Sequence, residues 1–375
     1  MATSGKSRVF RLILLVTAVC LTVMVGGGLL LSRLFHRAIP ESLRHARVVT
    51  GEGALSKRVV YEQPTLLRVT EITHRKQAAT GSSEWVVVGE GGAAFLGEDL
   101  QARRTVRFSG FLFAPAMAVD ADGDGSLEFL SRSTFHSNVV LFDTNGKIRS
   151  STEMPDMVKI AAAGDVDGDG RAEIAVGFGG GTGIHLLNAD GKKLWEQPDG
   201  NVWHVEMADV DGDGRAEILH SNAGGNLRIR DAAGSLLQDY DLDIYLSDFS
   251  LTRWDGEAQA KHLLTVDDGC FYVIGFDGNI ATRLPAPGSD RTGDAYGTTV
   301  QFRNGTSYFA AVLSYFWDRA ALYVYDPEGQ LIYHEVLGEK CGAVAAVPSG
   351  AAERLLVGCQ GKVWEYSPAT RERTP

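Results

Sequence analysis

The stretch Asp165-Val166-Asp167-Gly168-Asp169-Gly170-Arg171-Ala172-Glu173 constrains this chain more than any other. It sets carboxylates at positions 1, 3, 5 and 9 of a nine-residue loop, with glycine at positions 4 and 6. Alternating carboxylates suit a hard divalent cation, which takes six to eight oxygens at roughly 2.3–2.6 Å. The glycines let the backbone curl without a Cβ clash. The pattern stands twice more, in Asp120-Ala121-Asp122-Gly123-Asp124-Gly125-Ser126-Leu127-Glu128 and Asp209-Val210-Asp211-Gly212-Asp213-Gly214-Arg215-Ala216-Glu217. The loops start 45 and 44 residues apart, and a fixed period of this size marks a repeat architecture.

A second marker keeps the same period. Asp or Asn follows a strand-like pair and precedes a glycine by three residues in Asp143–Gly146, Asn188–Gly191, Asp231–Gly234 and Asp326–Gly329, and Asp277-Gly278 is a shortened copy. Such a turn between alternating strands is a hairpin closed by a left-handed glycine. Each unit therefore reads as four short strands in a meander. The acidic loop joins the first two strands and the Asp-led turn joins the last two. Units of this length and strand number are blades, and the expected fold is an all-β, seven-bladed β-propeller of four-stranded blades. Blades begin near residues 67, 114, 158, 203, 247, 297 and 341. The last runs out of chain after three strands, so residues 55–63 are expected to close it. Closure removes open sheet edges.

Residues 12–31 form a run of 20 without charge, long enough to cross a bilayer core of about 30 Å as a helix. No small-x-small cleavage site follows it. The expected organisation is a tail (1–11), a transmembrane signal anchor (12–31), a basic linker (32–46), the propeller (47–368) and a tail (369–375). Residues 1–60 carry nine Lys/Arg against two Asp/Glu, and the remainder 27 against 45. A domain this acidic is a poor nucleic-acid binder.

Four cysteines are present, in no zinc-like spacing. Cys341 and Cys359 fall near opposite positions on the first two strands of the last blade. Two unpaired buried thiols are expected there, with a cross-strand disulfide as the alternative.

The acidic loops share the first half of an EF-hand loop, but lack its Glu at position 12 and its flanking helices. They resemble the calcium loops of integrin-α-type FG-GAP repeats, also called VCBS repeats. The resemblance implies about three Ca²⁺ ions. The carboxylates of Asp120, Asp122, Asp124 and Glu128, of Asp165, Asp167, Asp169 and Glu173, and of Asp209, Asp211, Asp213 and Glu217 would bind them, with the carbonyls of Ser126, Arg171 and Arg215. Blades five to seven depart from the pattern at Arg253–Glu257, Arg303–Thr306 and Pro348–Gly350 and are expected to be metal-free turns. Ions in three adjacent blades would clip hairpins together by neutralising repelling acids. A calcium need of this kind favours the extracytoplasmic side, where the ion is plentiful.

Enzyme signatures such as Gly-x-Ser-x-Gly, a phosphate loop or His-Glu-x-x-His are absent. The face opposite the acidic loops, where blade links converge on a central channel, is the expected partner site. Its candidates are His136, Trp203, His204, Asp267, Asp268, Tyr315, Trp317, Asp318 and Arg319, since aromatics beside arginine are typical of binding hot spots. The bland alternative is aromatics packed between blades and charges in solvent. The expectation is thus a membrane-anchored, calcium-stabilised binding or scaffold module for a protein or a glycan, with no nucleic acid. A polysaccharide-active or quinoprotein-like propeller enzyme is the alternative.

Overall fold

Short runs of Val, Ile, Leu, Phe and Ala, each cut by a glycine or Asx turn, leave no room for helices. Among the described residues, the one helical turn is the 3-10 segment Pro64–Leu66. The computed structural model describes residues 49–50, 55–76, 81–110, 114–133, 136–254, 259–289, 293–303, 305–315 and 319–368. The apolar run at 12–31, its linker and both tails lie outside these residues. Among the described residues no helix is long and apolar enough to cross a membrane.

Two strands, β1 (Val49–Thr50) and β2 (Leu55–Glu62), precede the first blade. Blade one is β3 (Val69–Lys76), β4 (Ser83–Gly89), β5 (Gly92–Leu96) and β6 (Ala102–Arg107). Blade two is β7 (Met117–Val119), β8 (Glu128–Arg132), β9 (Asn138–Phe142) and β10 (Ile148–Glu153). Blade three is β11 (Val158–Gly164), β12 (Glu173–Phe178), β13 (Ile184–Leu187) and β14 (Lys193–Gln197). Blade four is β15 (Val202–Ala208), β16 (Glu217–Asn222), β17 (Leu227–Arg230) and β18 (Leu236–Tyr240). Blade five is β19 (Ser250–Thr252), β20 (His262–Asp267), β21 (Cys270–Gly275) and β22 (Ile280–Pro285). Blade six is β23 (Asp294–Gln301), β24 (Ser307–Tyr315), β25 (Arg319–Tyr325) and β26 (Leu331–Val336). Blade seven is β27 (Ala343–Ser349), β28 (Ala352–Gly358) and β29 (Lys362–Pro368), with β2 as its outer strand.

Every blade is an antiparallel meander, and the fold is an all-β seven-bladed propeller. Blade six departs from four strands, because β1 pairs with the outer edge of β26, Thr50 opposite Tyr333. An outer strand offers unpaired amides and carbonyls, and a passing extended segment satisfies some of them.

The core lies between blades. In blade three every residue of β12 and β13 is buried, whereas β14 is mostly exposed. Middle strands covered on both faces read as continuous apolar runs rather than alternating ones. Contact between blades is close where side chains are small. A Cβ added at Gly177 of β12 would lie 2.6 Å from Cγ1 of Val202 in the next blade. The Asp-led turns end in glycine at φ between 77° and 81° at Gly146, Gly191, Gly234, Gly278 and Gly329, a region that L side chains avoid. Between blades three and four, Asp199 takes both Arg230 (2.7 Å) and Arg228 (3.0 Å) on its carboxylate.

Blade seven joins an early strand of the chain to its last one. Leu55 pairs with Pro368 and Glu62 with Lys362. Arg58 pairs with Glu365 at 2.9 Å, and the Tyr333 and Tyr366 hydroxyls donate to buried Glu335 at 2.9 and 3.0 Å. The two unpaired thiols expected here are not found, since Cys341 and Cys359 form a disulfide with S–S 2.00 Å. Cys341 lies two residues before β27 and Cys359 one residue after β28. There the ladder has ended, and strand-pair register no longer sets the spacing of the two side chains. Cys270 is free and half-buried.

Candidate metal loops and the channel mouth

In each acidic blade the loop between the first two strands folds around its own carboxylates. The first aspartate accepts from the amides at positions 4 and 6, at 2.7 and 2.9 Å in the Asp165 loop. Asp167 accepts from the amide of Asp169, Asp169 from that of Arg171, and Glu173 from that of Val166. The Asp120 and Asp209 loops repeat these bonds. Backbone bonds also tie the loops in series: Ala172 N donates to Ala121 O (3.3 Å) and Ala216 N to Asp165 O (2.8 Å).

Three carboxylates per loop converge. One oxygen each from Asp120, Asp122 and Glu128 lie within 4.8 Å of one another, as do those of Asp165, Asp167 and Glu173, and of Asp209, Asp211 and Glu217. The position-5 acids Asp124, Asp169 and Asp213 are not part of these groups, and Asp213 is paired with Arg215 at 2.8 Å. Burial first, then the neighbouring aspartates, push the pKa of Glu128, Glu173 and Glu217 up. An oxygen-only donor set with mutually repelling acids fits a hard divalent cation.

The loops are not equivalent. Arg149 of β10 reaches Asp122 Oδ2 at 2.7 Å and Glu128 Oε1 at 3.6 Å. The residues three beyond the turn glycine in blades three and four are Leu194 and Leu237, both exposed. A guanidinium already neutralises the first loop in part.

The opposite end opens into a channel of about 1400 Å³. Its wall is built one first strand at a time, so its charges come from residues far apart in sequence. Blades one to three supply Arg68, Glu71, Glu90, Arg132 and Lys159, blades four to six supply Glu206, Asp248, Arg253 and Asp294, and Lys340 precedes blade seven. His204 sits between two acids, 2.7 Å from Asp248 and 3.3 Å from Glu206. Burial opposes its charge, but Asp248 and then Glu206 outweigh burial and raise its pKa to about 10. Half-buried Glu71 is raised to about 7 by desolvation and then by Glu206, against the amide of Ala118. Asp294 is raised to about 6 by burial and by Asp248, against the pull of Arg68 at 3.6 Å.

The sign of the His204 effect is definite. Its folded pKa lies above the ordinary 6.5, so its ion pairs stabilise fully below pH 6.5 and that contribution is lost as pH rises towards 10. Melting curves of the wild type and of His204→Gln are expected to differ most at pH 6 and to converge by pH 10.

Of the expected partner residues, Trp203 and His204 line the channel, and His136 packs against the lining residue Arg132. His136 Nδ1 is 3.1 Å from the Val158 carbonyl, and Lys159 Nζ stands 5.6 Å from the centre of the Trp203 ring. Asp267 and Asp268 are turn-makers instead. Asp267 accepts from the amides of Asp268 and Tyr245 at 3.0 and 3.3 Å, and Asp268 has φ 43°. Trp317 and Asp318 lie outside the described residues, and Tyr315 and Arg319 are paired positions at the facing ends of β24 and β25. Sequence reasoning missed Arg68, Glu71, Arg132, Asp248 and Asp294. Of these only Glu71 and Asp294 stand in first strands, and nothing local in the sequence sets the five apart.

Fold and loops together define a seven-bladed propeller with acidic loops on three consecutive blades. The chain carries an FG-GAP-like repeat, matched over residues 165–220, the stretch that holds the second and third acidic loops. No curated protein matches the chain. Among solved structures, BBS1N in complex with ARL6DN is similar, with 14% identity and a TM-score of 0.52, over 84% of this chain and 98% of that one. A catalytically inactive virginiamycin B lyase from Staphylococcus aureus with quinupristin is similar, with 10% identity and a TM-score of 0.56, over 84% of this chain and 100% of that one. At these identities the likeness is one of fold, which hosts many activities.

Proposed function

We propose that this chain is a calcium-stabilised β-propeller held at a membrane by residues 12–31, with the propeller on the extracytoplasmic side, and that its channel face binds a protein or a glycan. One observation carries the binding face. The acidic loops spend their polar groups on their own backbone, whereas the channel mouth gathers charges from six blades around open space. The Cys341–Cys359 disulfide favours an oxidising, extracytoplasmic compartment. BBS1N is seen with a protein partner and virginiamycin B lyase is an enzyme, so fold likeness supports neither class over the other. For an enzyme, Glu71, raised to about 7, is the channel group best placed for proton transfer.

In this reading Ca²⁺ supplies the charge that holds the three acids of each loop together, through Asp120, Asp122 and Glu128 and their counterparts. Arg149→Leu is expected to raise the Ca²⁺ affinity of the first loop about threefold, the scale of one exposed ion pair. A calorimetric titration in which the variant and the wild type superimpose would show that Arg149 does not compete. The binding face is tested by partner capture from a membrane extract. Trp203→Ala should lose the partner that wild type retains, and Arg149→Leu, on the other face, should keep it. Equal capture by both variants rules the channel face out.

A further inference from the structure

Among the described residues Arg132, Lys159 and Lys340 line the channel without a carboxylate at ion-pair distance, and Arg132 is the guanidinium among them. Arg132 ends β8 and lines the channel. Its guanidinium lies against the His136 ring, with Nη1 2.5 Å from Nδ1 and 2.9 Å from Nε2. His136 Nδ1 is also 3.1 Å from the Val158 carbonyl. Burial, Arg132 and Lys159 all hold that imidazole in its neutral form. No carboxylate among the described residues pairs with Arg132. Its cationic neighbour Arg68 is already engaged, by Glu90 at 3.1 Å and Asp294 at 3.6 Å. Half-buried beside a second guanidinium and drawn only at longer range by Glu90, Arg132 carries an incompletely compensated charge, which an anion would complete.

The rest of the mouth limits what that anion can be attached to. The mouth also carries acids, Asp248 beside His204 and Asp294 beside Arg68. Asp294 keeps 42% of its side chain open and Asp248 31%. These carboxylates repel a second negative charge and accept hydrogen bonds from hydroxyls. Lys159, exposed, stands over Trp203. A ligand with one carboxylate and several hydroxyls matches both the cations and the acids, whereas an acidic peptide with several carboxylates meets repulsion from the acids.

We propose that the channel mouth binds a sugar acid, its carboxylate on Arg132 and its hydroxyls towards Asp248 and Asp294. This rests on the channel face being the binding face, and names its ligand class. Arg132 supplies a bidentate carboxylate fork. Lys159 adds charge at the rim.

The test is saturation-transfer NMR and calorimetry on the full chain with D-glucuronate, its methyl ester, D-glucose and an acetylated aspartyl peptide amide. Glucuronate is expected to bind, and the ester and glucose to bind at least about tenfold more weakly, the scale of a charge-assisted hydrogen bond. Arg132→Gln should weaken glucuronate at least about tenfold with a melting temperature that is unchanged or higher. If that variant melts lower, Lys159→Gln, on an exposed side chain, should weaken glucuronate about threefold. Equal binding of glucose and glucuronate overturns the proposal, as does undiminished binding by folded Arg132→Gln. A preference for the peptide overturns the sugar assignment. Partner capture that depends on Trp203 without any glucuronate binding overturns this ligand class and leaves the binding face standing. Loss of both overturns both.

Discussion

Chelating divalent cations is expected to lower the melting temperature by roughly 10 °C or more. A ligand present at a hundred times its Kd stabilises the folded state by about 2.7 kcal/mol per site, and three loops bring this to about 8 kcal/mol. In a domain of this size one kcal/mol moves the midpoint by roughly 2 °C or somewhat less. The three acids of each loop lie within 4.8 Å, and without a cation their repulsion remains. The amide bonds to Asp165, Asp167, Asp169 and Glu173 keep the loop in shape, so the chelated protein should melt lower rather than start unfolded. Asp165→Asn combined with Asp167→Asn should remove about a third of the calcium-dependent shift. Differential scanning calorimetry with calcium and with EDTA decides the matter. Superimposable scans would sink the structural role of calcium.

Replacing Cys341 and Cys359 together by serine is expected to destabilise the propeller by about 3 kcal/mol, the scale for a bridge closing a loop of this length. The separation is 18 residues. Both cysteines have no exposed surface, so reductant should not reach the bond in the native state and should lower the midpoint only as the protein unfolds. The bridge sits where the ring closes, and Val69 of blade one donates to the Cys359 carbonyl at 3.0 Å. The double serine variant should therefore loosen blades one and seven first, read as faster amide exchange in β3 and β27 than in β12. Uniform exchange across all blades would refute a local role.

The blades were legible because each repeats a pattern that local chemistry writes. An Asx residue and a left-handed glycine mark one turn, four alternating carboxylates mark another, and the strands fill the intervals. Blade seven was legible for the same reason, since Lys57-Arg58-Val59-Val60-Tyr61-Glu62-Gln63 resembles the outer strand near Trp195. The disulfide was not, because it forms beyond the strand ladder, where register gives no guide. The channel was hardly legible at all. His204, Asp248 and Asp294 are 44 and 46 residues apart in the chain, and only the closed ring brings them together. At position 5, Asp124, Asp169 and Asp213 accept from the amide two residues on, as the position-3 acids do.

The pairing of β2 with β29 sets how the molecule bears load. Leu55 lies opposite Pro368, so the chain enters β2 and leaves β29 at the same end of one antiparallel pair. Tension applied between them peels that pair apart one hydrogen bond at a time, instead of loading all its bonds together in shear. The ring opens at its outermost strand first, and the hairpin β27–β28 stays shut behind its disulfide. Strain on the chain ends is released at the rim before it reaches the channel.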